Sequence, residues 1–124
     1  MKRIKTIFIF IITIVISMSI GMWLGIQYIG YTNFRNSISY AVKAVDYFEK
    51  EDNLRAIAPL NRAIALNPED VMSRGILVDV YYEIGRYDLA LEEYEAALSL
   101  AKTQNNVSDY PGLEIQGRRL KEAR

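Results

Sequence analysis

The run RGILVDVYYEIGRYDLALEEYEAALSLAK, residues 74–102, carries two apolar helical patterns separated by one glycine. Leu77 and Tyr81 recur at helical spacing before Gly85, and Ala90, Tyr94 and Ala97 recur at it afterwards. Gly85 suits the turn between them, because a residue without Cβ tolerates positive φ. The stretch therefore predicts a helix-turn-helix, with helices over Val71–Ile84 and Tyr87–Lys102.

Working outward, the chain resembles itself when shifted by 34 residues. Tyr47 meets Tyr81, Glu49 meets Glu83, Ala56 meets Ala90, Ala63 meets Ala97 and Leu66 meets Leu100. Phe48 with Tyr82, Ile57 with Leu91, Leu60 with Tyr94 and Ile64 with Leu98 are conservative pairs. Recurrent small residues have a physical reason, since paired helices approach closely only where Ala or Gly leaves room. Earlier helices follow over Ser37–Lys50 and Leu54–Leu66, the second ended by Pro68 after Asn67.

These residues resemble the tetratricopeptide repeat (TPR), a helix-turn-helix unit of about 34 residues. The later unit, 70–102, carries the pattern in Leu77, Tyr81, Gly85, Tyr87, Ala90, Tyr94 and Ala97. The earlier, 37–68, carries it in Tyr40, Ala44, Tyr47, Ala56, Leu60, Ala63 and Pro68. Two positions depart: Glu51 stands where the family prefers Gly, and Lys102 where it prefers Pro. A polar linker follows over 103–109, then a helix over 110–124 with a basic tail (Arg118, Arg119, Lys121, Arg124). Ser108 or Asp109 is its expected N-cap, with Pro111 tolerated in the first turn. A further shift of 34 sets Gly112 opposite Val78 and Ile115 opposite Tyr81, so this helix is expected to cap the array.

At the other end, Lys5 and Arg35 are consecutive charges. Between them Ile7–Tyr31 would span about 37 Å as a helix, against a bilayer core of about 30 Å. Residues 1–32 are thus expected to form a membrane signal-anchor contacting lipid over 6–31, with 33–36 as a junction. Ser17, Ser19 and Gly21 also fit a cleaved signal peptide, but the apolar run continues past them through Trp23 and Ile29. Lys2, Arg3 and Lys5 precede the segment and only Arg35 follows it closely. That bias predicts a cytoplasmic amino terminus and an extracytoplasmic remainder, as in a bacterial inner-membrane protein. Thr13, Ser17, Gly21 and Gly25, spaced by four, form a stripe suited to helix packing and possible self-association.

The fold class expected is all-α: a transmembrane helix, then a short TPR-like solenoid of two units plus a capping helix. Charge balances overall at 15 basic against 15 acidic residues, but Asp46–Glu95 holds 12 acidic and 5 basic ones. That excludes the basic aromatic footprint of nucleic-acid binding there. Without His or Cys the chain lacks the common neutral-pH general base, a thiolate and the usual zinc set. It has no Gly-rich phosphate loop either, so no catalytic, cofactor or metal residues are assigned and an enzyme is not expected.

The resemblance implies protein binding by the first helix of each unit, which places Ile38, Ala41, Val45 and Phe48, then Met72, Gly75, Asp79, Tyr82 and Glu83, at a groove. Chaperone-tail clamps carry Lys and Asn on this face, and this chain does not. An amphipathic helix or extended apolar segment, with a basic residue facing Asp79 or Glu83, is the better fit. Phe48 and Tyr82 packing within the bundle is the competing expectation. The function expected is a membrane-anchored adaptor or scaffold in assembly, secretion or folding. The alternatives are a structural subunit of a large membrane complex and an organelle-surface receptor of the mitochondrial import type.

Overall fold

The computed structural model describes residues 2–123, with side chains described for residues 7–123. The side chains of Lys2, Arg3 and Lys5, and Arg124 of the basic tail, lie outside the described residues. Five α-helices follow in order: α1 (Lys2–Glu49), α2 (Asn53–Leu66), α3 (Val71–Glu83), α4 (Tyr87–Thr103) and α5 (Pro111–Glu122). A 3-10 turn, Val107–Asp109, precedes α5, and the described residues contain no strand. The chain divides into two compact units, Met1–Asn33 and Phe34–Arg124.

The first unit consists of the apolar part of α1, and its large side chains from Ile7 to Tyr31 are exposed. It is long and apolar enough to cross a membrane. A helix is the form a single segment can take in hydrocarbon, because it satisfies its backbone polar groups internally. Three of its hydroxyls are satisfied in the same way: Thr13 Oγ1 donates to the Phe10 carbonyl, Ser17 Oγ to Thr13 and Ser19 Oγ to Val15, each at 2.8 Å.

In the second unit the interior is built from alanine as much as from large residues. Ala44, Ala56, Ala63, Ala90, Ala97 and Ala101 are fully buried, as the close-approach argument requires. Ala44, Ala56, Leu60, Leu77 and Val80 form one cluster, joining the end of α1 to α2 and α3. Val71, Ala97, Ala101 and Leu113 form a second, and Val78, Ala90 and Leu120 a third, both bringing α5 onto α3 and α4. Arg74 Nη1 and Glu93 Oε2, 2.8 Å apart, tie α3 to α4.

Helix ends follow local chemistry. Asp52 caps α2 through the Arg55 N–H at 3.4 Å, and Asp70 caps α3 through the Ser73 N–H at 3.1 Å. The turn after α1 and the turn after α3 share one geometry 34 residues apart. Glu51 N donates to Phe48 O and Asp52 N to Tyr47 O; Gly85 N donates to Tyr82 O and Arg86 N to Tyr81 O. The φ angles are 59° at Glu51 and 76° at Gly85.

Three expectations are corrected. The junction at 33–36 is helical, because NFRN contains no Gly or Pro to stop the ladder. Neither Ser108 nor Asp109 caps α5: both lie in the 3-10 turn, and Tyr110 is the N-cap with Pro111 at the first helical position. The 34-residue register also fails for α5. Ile115 is 52% exposed whereas Tyr81 is half-buried, and the buried face of α5 is instead Leu113, Gln116, Gly117 and Leu120.

Candidate functional site

Two adjoining hollows open on the second unit, sharing Met72, Ile76 and Tyr110. The larger, about 500 Å³, lies between the α1 segment carrying Phe34, Ile38, Ala41, Val42 and Val45 and the first turns of α3. The smaller, about 270 Å³, runs on past Gly75 to Asp79, Gln116 and the start of α5. Walls of both are mainly apolar, and exposure is high: Ile38 is 47% exposed, Val42 64% and Met72 65%. Their carboxylates are Asp70, Asp79 and Asp109, and among the described residues no lysine or arginine lines either hollow.

Of the expected groove residues, Ile38, Ala41, Val45 and Met72 line the larger hollow, and Met72, Gly75 and Asp79 the smaller. Phe48 packs against the Ala44–Leu60 cluster, and Tyr82 against the Val78–Leu120 cluster. Glu83 is engaged by Arg119 Nη2 at 2.8 Å. The basic residue expected opposite Asp79 and Glu83 is thus supplied by α5 of the same chain.

The α5 contact is specific. Gln116 Nε2 donates to the Gly75 carbonyl at 2.9 Å and to Asp79 Oδ2 at 2.8 Å. Arg119 Nη1 donates to Asp79 Oδ1 at 3.2 Å, and its guanidinium lies 4.0 Å from the centre of the Tyr82 ring. Burial pushes the Asp79 carboxyl above its ordinary range, with Glu83 adding to that, while the Gln116 hydrogen bond and the Arg119 charge oppose it. Gln116 and Arg119 were not singled out for this site from the sequence. Their spacing of three is a helical-face signal, but only the register of α5 turns it toward α3.

In the first unit Thr13 and Ser17 spend their hydroxyl protons on their own helix. Gly21 and Gly25 have open space where a Cβ would stand. Among the described residues no group of three or more Asp or Glu side chains is placed to hold a metal ion.

No protein-family profile matches the chain, and a comparison with curated proteins finds no significant relative.

Proposed function

We propose that this chain is a membrane-tethered, non-catalytic adaptor whose second unit binds other proteins in a TPR-like groove. The observation that carries the proposal is the open apolar channel formed by Phe34, Ile38 and Val42 on α1 and Met72 and Ile76 on α3. Apolar surface that gathers in a concave site, rather than being scattered singly, marks an interaction surface. The turns at Glu51 and Gly85, alike in hydrogen bonding at the spacing of the TPR unit, support the repeat reading. The apolar first unit supports a membrane tether, and the basic residues before it favour an amino terminus in the cytoplasm of a bacterial cell.

The test is site-specific photo-crosslinking of the full chain in its native membrane. A photoreactive side chain at Met72 is expected to yield one discrete crosslinked protein, and the same group at Glu92, on the exposed face of α4, to yield none. Indistinguishable products from the two positions would refute the groove as the binding surface.

A further inference from the structure

We propose that the larger hollow takes an amphipathic helix of another integral membrane protein, a helix that leaves the bilayer directly after that protein's own span. This rests on the adaptor reading, membrane tether included, and specifies the partner. Phe34, Ile38, Val42 and Val45 recur at three- and four-residue spacing, so they share one face of α1 and give the hollow a wall about 16 Å long. That is three helical turns, the length over which an amphipathic helix sets its anchors at i, i+3 or i+4, and i+7. An extended segment fits worse. The walls are helices and offer no ladder edge, and the hydroxyls of Ser37 and Ser73 already donate to the Phe34 carbonyl and to Asp70 Oδ2. A strand laid there would leave its amides unmet against apolar surface, whereas a helix satisfies its own.

Position along the chain then selects the source of the helix. Phe34, at one end of the wall, stands three residues after Tyr31, the last residue of the apolar stretch. At about 3.5 Å per residue it lies within about 10 Å of the end of that stretch, whatever course the chain takes. With the stretch in a bilayer, the hollow opens at or just beyond the headgroups. A soluble client would have to bring an apolar face past a lipid interface that itself takes up such faces. A helix continuing outward from a partner's own span is already held at that height, and the shared membrane supplies the high local concentration of a tethered ligand.

The chain has no cysteine, so Val42→Cys places a single thiol on the exposed rim of the hollow. The full chain, carrying there a photo-crosslinker joined through a disulfide, is irradiated in its native membrane, purified, and reduced to release what it captured. The released protein is expected to resist alkaline extraction from the membrane. Its modified residues should fall at three- and four-residue spacing within about 20 residues of a span, a helical length that reaches the far end of the hollow. Met72→Glu, which sets a charge against the apolar face, should cut the yield at least about fivefold with helical circular dichroism unchanged. Ile115→Glu, at another exposed apolar position, should not. A released protein that washes out at alkaline pH, or one modified at alternate residues or far from any span, would overturn this inference and leave the adaptor reading standing. No captured protein, capture of lipid or of a second copy of this chain alone, or capture indifferent to Met72→Glu would overturn both.

Discussion

Glu51 and Gly85 occupy the same left-handed turn conformation 34 residues apart, with φ of 59° and 76°. The glycine adopts it freely, whereas an L side chain pays about 1–2 kcal/mol in contact between Cβ and the backbone. Glu51 is exposed and makes no described side-chain hydrogen bond or ion pair, so nothing there offsets the strain.

Glu51→Gly should therefore stabilise the second unit by about 0.5–1 kcal/mol, after allowing for the greater freedom of glycine in the unfolded chain. Gly85→Ala should destabilise it by about 1 kcal/mol for the converse reason. Thermal unfolding followed by helical circular dichroism measures both. A loss of stability in Glu51→Gly would show that the glutamate side chain contributes something else at that turn.

Gly117 of α5 lies against the end of the Tyr94 ring, where an added Cβ would stand 2.8 Å from Tyr94 Cζ and closer still to the hydroxyl. Tyr94 is held between two apolar clusters and has little freedom to withdraw. Gly117→Ala should cost about 1–3 kcal/mol through overpacking. Adding Tyr94→Phe removes the nearest atom and should return part of that loss, which a double-mutant cycle reads as coupling. Additive effects of the two changes would mean that α5 shifts bodily to relieve the contact.

Arg119 meets Asp79, Glu83 and the Tyr82 ring at once. A planar guanidinium with forked donors can do this, and a lysine ammonium cannot. Arg119→Lys should destabilise the docking of α5 by about 1 kcal/mol, a modest figure because the site is partly open to solvent. Amide hydrogen exchange along α5 should quicken, while exchange in α2 should not. Equal acceleration in both helices would mean that α5 does not open separately.

Asp79 gives a pH dependence of definite sign. Its carboxyl is raised by burial, so the folded state holds the proton more tightly than the unfolded one. Stability from this group is full below the ordinary carboxylate range and is lost as pH rises through the raised value. In Asp79→Asn this dependence should disappear, so wild type should gain on the variant as pH falls through the mildly acidic range. A stability difference that stays constant over that range would contradict the assignment.

Much of this architecture was legible in residue pattern. The apolar run between Lys5 and Arg35, the helices on either side of Gly85 and the paired alanines all lie where helical periodicity and close approach require them. The continuation of α1 through 33–36 was not legible, because a polar run without Gly or Pro tolerates helix and loop alike. Nor was the positive φ of Glu51: the shift of 34 sets it opposite Gly85, but a residue with a Cβ ordinarily avoids that region. The α5 contacts escaped because they depend on a register offset by the linker: a slip of a few residues decides whether Ile115 or Gly117 faces the interior. Half of the expected groove was visible as an apolar face, but sequence could not show that Glu83 and Tyr82 are already occupied by Arg119.

The hydroxyls of Thr13, Ser17 and Ser19 have a consequence for the chain's stoichiometry. Each donates to a carbonyl three or four residues back, so none would carry an unmet proton into hydrocarbon. Nothing in those hydroxyls would compel the segment to find a twin in a bilayer. Any pairing there would be a matter of shape at Gly21 and Gly25, free to form and free to part.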